Sequence, residues 1–176
     1  MRLIENDLEF NFTNAIDAIV FDQMKSHLPN YHAVNQMSRV DFIVELEEAI
    51  LFVEVKDPDC PDSTVATLAK FHAKLDSGKL GSIFASKFID TFLYRWAEEK
   101  VTKPIHYISL VTLDEAQVIQ LSDEITRKLP PLGVAVPRWK KQLFENCQVF
   151  NLNMWNENFP KWQVTRISQS FPAGAN

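Results

Sequence analysis

The stretch from Val40 to Lys56 limits the fold more than any other part of the chain. Val40-Asp41-Phe42-Ile43-Val44-Glu45-Leu46 and Ala49-Ile50-Leu51-Phe52-Val53-Glu54-Val55-Lys56 are two apolar, β-branched runs separated only by Glu47-Glu48. Their composition and length read as strands, and the gap leaves room for nothing but a hairpin. With the turn centred between Glu47 and Glu48, Ile43 opposes Phe52 and Asp41 opposes Glu54. Directly opposed side chains of an antiparallel pair share a face, roughly 5 Å apart. Lys56, two residues beyond Glu54, lies on that face as well. A slip of one residue would send Asp41 to the other face, so the turn decides the argument. Glu-Glu is not a favoured two-residue turn, but a four-residue loop from Leu46 to Ala49 keeps the same pairing.

Charges in such runs need compensation. Burying an unpartnered carboxylate costs several kcal/mol, and like charges directly opposite each other repel. A divalent cation between Asp41 and Glu54 would turn repulsion into coordination, because hard cations choose carboxylate oxygens. The alternative is that Asp41 merely starts a strand while Glu54 and Lys56 pair on a sheet edge. The otherwise unbroken apolar run Ile50 to Val55 argues for a central strand instead.

Around this hairpin the chain alternates helix and strand signals. Asn14 to Leu28 reads as a helix, with Ile16, Ile19, Val20 and Met24 at helical spacing, Asn14 and Asp17 as its N-terminal cap pattern and Pro29 as its end. Tyr31 to Met37 reads as a weakly patterned first strand. After a Pro- and Asp-rich loop from Asp57 to Asp62, Thr64 to Asp76 reads as a basic helix ending near Gly78. A helix beginning at Ser82 or Ser86 and running to about Lys100 carries Phe84, Phe88, Phe92 and Trp96 as a core stripe. Ile105 to Leu113 is a buried strand, Asp114 to Leu129 a helix, Pro137 to Glu145 a short helix and Gln148 to Trp155 a last strand. The tail beyond Pro172 reads as frayed. The order predicts an α/β protein with one mixed sheet flanked by helices. It is expected to be one domain over 1–176, with its core at about 14–113 and a C-terminal elaboration over 114–171.

Composition narrows the function classes. The chain has 176 residues, enough for a sizeable core, and a formal net charge of −5, so it lacks the global basic signature of many nucleic-acid binders. Cys60 and Cys147 are isolated and give neither a disulfide framework nor a zinc motif. His27, His32, His72 and His106 are scattered and form no spaced zinc pair. With four glycines there is no P-loop or dinucleotide fingerprint, and no Gly-x-Ser-x-Gly elbow. No run approaches a membrane span, and the acidic stretch Met1 to Phe10 has no signal-peptide core. The expectation is a soluble cytoplasmic protein.

Asp41, about a dozen residues, then Glu54-Val55-Lys56, preceded by a helix, resembles the PD-(D/E)xK nuclease superfamily, whose core runs αβββαβ. Asp41 matches the aspartate at the start of the second core strand, and Glu54 and Lys56 match the acid-x-Lys of the third. Val40 stands where the eponymous proline often sits. The resemblance implies a restriction endonuclease-like fold and Mg²⁺- or Mn²⁺-dependent phosphodiester hydrolysis. Asp41, Glu54 and the Val55 backbone carbonyl would hold the metal. Lys56 would position or deprotonate the attacking water and offset charge on the transition state. Family members often add an acidic residue from the first helix. Asp17 is the best match, ahead of Glu9 and Asp22, although Asp17 reads more readily as a helix-cap charge. Lys87 or Tyr94 matches a further group on the helix after the third strand; each is otherwise an ordinary exposed position.

The implied partner is nucleic acid, with DNA first. Lys70, Lys74 and Lys79 form a local positive stretch suited to phosphate contacts, or else a solvated helix face. Arg138-Trp139-Lys140-Lys141 adds a basic cluster with an aromatic that could stack on a base, or a surface helix with one anchor. The acidic net charge keeps a second function open: a catalytically silent nuclease fold that binds nucleic acid or assembles with others. In that case a homodimer or partner subunit would supply the binding surface.

Overall fold

The computed structural model describes residues 1–28, 30–132 and 139–170. Two sheets form among them. β3 (Asp17–Val20), β4 (Phe42–Glu45), β5 (Ile50–Lys56), β6 (Ile105–Val111) and β7 (Asn146–Phe150) make a five-stranded sheet in that spatial order. The first three strands form an antiparallel meander; β6 and β7 run parallel to β5. β1 (Arg2–Glu5), β2 (Leu8–Asn11) and β8 (Val164–Arg166) make a smaller antiparallel sheet.

The hairpin closes in the expected register. Phe42 pairs with Val53, Ile43 with Phe52 and Glu45 with Ile50, and the Leu46 N–H donates to the Ala49 carbonyl at 2.9 Å. The short Leu46–Ala49 turn sets this register, which places Ile43, Phe52 and Glu54 on one face of the sheet.

Alternation along the central strands builds two cores. On one face, Ile43, Ile50, Phe52, Ile105, Tyr107 and Val111 meet a helical layer. That layer is α1 (Val65–Asp76), α2 (Lys79–Ala97) and α3 (Glu115–Lys128), which contribute Leu75, Phe84, Phe88, Leu121 and Ile125. On the other face, Phe42, Val44, Leu51, Val53, Val55 and Leu110 meet Leu8, Phe10 and Phe12 of the small sheet region. Trp155 of α4 (Leu152–Asn158) joins them. Trp155 is fully buried, and its indole N–H donates to the Trp162 carbonyl at 2.7 Å. The chain continues from β8 into α5 (Ile167–Ser170). The chain is thus a mixed α/β protein whose five-stranded mixed sheet is flanked by helices.

Several helix ends follow local chemistry. Thr64, Asp114 and Asn151 cap α1, α3 and α4, each accepting from a backbone N–H three residues on. Gly78, at φ 67°, turns the chain directly from α1 into α2, which is why α2 begins at Lys79 and not at Ser82 or Ser86. Within α2 the aromatic stripe fades outward: Phe84 and Phe88 are buried, Phe92 is half-buried and Trp96 is 63% exposed.

The expected leading helix is absent, so the αβββαβ order is corrected at its start. Asp17–Val20 is an edge strand, with Ile19 opposite Ile43 and Val20 opposite Phe42. The ladder of β4 needs a partner on that side, and β-branched Ile19 and Val20 suit it. Ile16 and Met24, which the helical stripe required, are 56% and 66% exposed. Tyr31 to Met37 is not a strand but part of the connection from Phe21 to Asp41. Gln148 to Trp155 divides into the end of β7 and the start of α4, because the Asn151 cap stops the strand. Of the predicted helix Pro137–Glu145, residues 139–145 are not helical; Pro137, Arg138 and the tail beyond Pro172 lie outside the described residues, as does Pro29. The N-terminal hairpin β1–β2 was not anticipated. Its turn at Asn6-Asp7, with Asn6 at φ 53°, is followed by alternating Leu8, Phe10 and Phe12.

Candidate functional site

The site lies on the helical face of the large sheet, at the carboxyl end of β5. Asp41 immediately precedes β4, so its side chain takes the place of a ladder partner: Oδ2 accepts from the Val55 N–H at 2.6 Å. Its own carbonyl accepts from the Phe21 N–H at 2.8 Å, fixing the backbone from the β3 side. Glu54 alternates with Phe52 and Lys56 on the helical face and is fully buried. The expected facing pair therefore forms, with Asp41 4% exposed and Glu54 0%.

Two ammonium groups meet these carboxylates. Lys56 Nζ lies 2.6 Å from Glu54 Oε1, 2.8 Å from the Val55 carbonyl oxygen and 3.8 Å from Asp41 Oδ2. Lys87, reaching down from α2, lies 2.6 Å and 2.8 Å from the two Glu54 oxygens and 3.4 Å from Asp41 Oδ1. Glu54 Oε1 is close to both cations, yet neither donates to it along a hydrogen-bond direction. Lys87, expected on nucleic acid or as a further site group on the helix after the third strand, packs against the carboxylate pair. Tyr94, two turns on, packs against Phe21 and His32 with ring centroids 5.4 Å and 5.0 Å away.

Electrostatics follow from burial. Burial pushes the Glu54 carboxyl up to about 7, with Asp41 adding to the rise and the two ammoniums opposing it. Burial works against the Lys56 charge, but the Glu54 and Asp41 carboxylates outweigh it and hold Lys56 above its ordinary value. Glu5, at the tip of β1, feels the same cluster: its own burial raises it, Asp41 adds to that, and Lys56 and Lys87 pull it down. Sequence reasoning missed Glu5 because the hairpin that presents it was missed. Ser109, the register partner of Glu54 on β6, adds a buried hydroxyl on the same face.

Comparison of the chain with protein-family models, with curated proteins and with solved structures finds no match.

Three of the expected ligand atoms, Asp41 Oδ2, Glu54 Oε1 and the Val55 carbonyl, converge on one positive charge, the Lys56 ammonium. An all-oxygen set of two carboxylates and a carbonyl suits a small hard cation that keeps several waters. Among the described residues no three His, Cys, Asp or Glu side chains are grouped to hold a metal. The fourth expected ligand, Asp17, does not join the set. It lies opposite Glu45, at the far end of β4 from Asp41, exposed, with Oδ1 accepting from the Ala18 N–H. Glu9 is likewise remote in role, paired to Arg2, and Asp22 is tied to Arg39 at 2.8 Å.

The basic residues separate into two regions. Lys70 and Lys74 are exposed on α1, the helix that borders the site. Lys140 is exposed beside Lys141, which lies with Lys103, Pro104 and Glu145 at the opposite end of the sheet. Lys140 is thus not part of one surface with Lys56. Arg138 lies outside the described residues.

The loop after β5 is locked in place. Asp57 is held bidentately by Arg166, at 2.9 Å and 3.0 Å, and accepts from the Thr112 hydroxyl at 2.8 Å. Arg166 also donates to Asp7 at 3.2 Å, and Asp7 accepts from the Ser168 N–H and hydroxyl. These contacts join the β1–β2 turn, the C-terminal segment and the end of β5 beside Lys56. Among the described residues no helix is long and apolar enough to cross a membrane.

Proposed function

We propose that the chain is a metal-dependent phosphodiester hydrolase acting on nucleic acid, with DNA as the first substrate to test. One observation carries this reading: oxygens of Asp41, Glu54 and the Val55 carbonyl gather around one cation, the Lys56 ammonium, on a sheet face, with Lys87 beside them. The order of a three-stranded meander, helices and a parallel strand supports the restriction endonuclease-like reading, and the missing leading helix counts against it.

Mg²⁺ or Mn²⁺ held by Asp41, Glu54 and the Val55 carbonyl would supply an acidified water and neutralise charge developing on the phosphate. The chain's own groups do the rest. Lys56 is one-third exposed and lines the adjoining cleft, so its ammonium can turn from the carboxylates toward an anionic substrate. Kept charged by its carboxylate neighbours, it positions water and offsets negative charge; it is poorly suited to take a proton. Lys87 stays against Glu54 and Asp41 and keeps two facing acids together. The Val55 N–H holds Asp41 Oδ2 in orientation.

The test is incubation of the full chain with single- and double-stranded DNA and RNA in Mg²⁺ or Mn²⁺. Cleavage that disappears in Lys56→Ala, with the fold intact by circular dichroism, supports the proposal. No cleavage of any substrate rejects it. A second reading has its own observation: two carboxylates and two ammoniums balance, so the cluster is complete as a buried ion-pair network. On that reading the chain binds nucleic acid or a partner without cutting, and metal leaves its stability unchanged.

A further inference from the structure

Beside Lys56 a cavity of about 310 Å³ opens between the β1–β2 turn, the loop after β5 and α1. It is separate from the carboxylate cluster and shares only Lys56 with it. We infer that this cleft holds the base of one nucleotide adjoining the phosphate at Lys56, so that the substrate is single-stranded or locally unpaired nucleic acid. The inference rests on the hydrolytic reading for the position of that phosphate.

The walls carry the argument. One side is apolar: Leu68 and Phe71 project from α1, half-buried, while Leu75 is the helix residue fully in the core. An aromatic side chain in one wall, Phe71, suits a flat, uncharged heterocycle whatever its sequence. The opposite side is polar, and Asp62 adds an exposed carboxylate at its rim that disfavours a second phosphate and can accept from a base N–H. Asp57 is neutralised by Arg166 and saturated by Thr112, and Asn6, Ser63 and Thr67 offer amide and hydroxyl groups. Lys56 is the one cation lining the cleft among the described residues, so a second phosphate finds no partner there. The volume is at the small end of ligand pockets, roughly 300–1,000 Å³, and admits one nucleoside but not a stacked base pair. A duplex must therefore expose a base before its phosphate reaches Lys56, at the energetic cost of unstacking. The Arg166 clamp makes the cleft preformed, since it fixes the loop that forms its floor.

The test compares the full chain with Leu68→Trp, whose indole fills the cleft, on a short fluorescent single-stranded DNA and on the same sequence as blunt duplex. Anisotropy and cleavage in Mg²⁺ are both read. The wild type is expected to prefer the single strand, and Leu68→Trp to lose about tenfold in affinity for it, or about 1.4 kcal/mol, while binding Mn²⁺ as the wild type does. Cys60 gives an arm that needs no substitution in the helix: it lines the cleft, whereas burial pushes the Cys147 thiol up to about 12 and makes it inert. Single-stranded DNA should slow alkylation of Cys60 by N-ethylmaleimide, and the alkylated protein should show the same affinity loss. Equal affinity for single strand and duplex, without protection of Cys60, overturns the cleft assignment even if DNA is cut. Single-strand binding with protection, but no cleavage in Mg²⁺ or Mn²⁺, upholds the cleft and overturns the hydrolytic reading instead.

Discussion

Replacing Glu54 by Gln should change how stability depends on pH, and the size of the change follows from the site. Glu54 is fully buried, and its carboxyl rises from 4.5 to about 7 on folding, mainly through burial. An acid raised in the folded chain binds its proton more tightly there than in the unfolded chain. The stability it contributes is whole below about pH 4.5 and is lost as pH climbs through about 7. A shift of that size, at about 1.4 kcal/mol per pH unit, is worth about 3 kcal/mol. Lys56, held above its ordinary value by the Glu54 and Asp41 carboxylates, stays charged throughout this window and does not mask the effect. Urea unfolding of the wild type and Glu54→Gln at steps from about pH 5 to 8 should give curves that diverge. The variant should gain about 3 kcal/mol on the wild type across the range, equivalent to a relative rise in Tm of about 6–12 °C for a chain of this size. Parallel curves with equal m-values would refute the reasoning, because they would mean that Glu54 ionises as easily folded as unfolded.

Other outcomes follow from the same geometry. Lys87→Met removes one of two cations from a buried acid and should destabilise by about 3 kcal/mol at neutral pH, read by thermal unfolding; Lys87→Arg should recover part of the loss. Arg166→Met leaves Asp57, whose side chain is 0% exposed, without its bidentate partner, and should cost about 3–5 kcal/mol by denaturant titration. Gly81→Ala places a Cβ 2.9 Å from Glu124 Cβ, between α2 and α3, and should cost about 1–3 kcal/mol by the same assay. Asp17→Asn should leave Mn²⁺ affinity, measured by calorimetry, unchanged, because Asp17 lies at the far end of β4.

What was legible in the sequence was whatever local chemistry fixed by itself. The Val40–Lys56 hairpin could be registered because the gap between its two runs is too short for anything but a tight turn, which fixes the pairing. The helices expected from Thr64 and from Asp114 and the strand expected over Ile105 to Leu113 also follow local pattern, and all three form. From the hairpin alone came the meeting of Asp41, Glu54 and Lys56. Long-range competition decided the errors. Asp17–Val20 carries helical spacing, but the open edge of β4 recruits it as a strand, and Asp17 moves away from the site with it. Lys87 was legible as a helix residue; that its ammonium enters the carboxylate pair depends on how α2 crosses β5, which no local pattern encodes. Glu5 and Arg166 come from the two ends of the chain, and only the small sheet brings them to the site. For β1–β2 the strand alternation Leu8, Phe10 and Phe12 was present, but Asn6-Asp7 is not a favoured two-residue hairpin turn.

Anomalous diffraction from crystals soaked in Mn²⁺ tests the central claim most directly. The account predicts one ion within coordination distance of Asp41, Glu54 and the Val55 carbonyl oxygen, with the Lys56 ammonium displaced toward the cleft. An empty position, with Lys56 still resting on all three oxygens at saturating Mn²⁺, would contradict it.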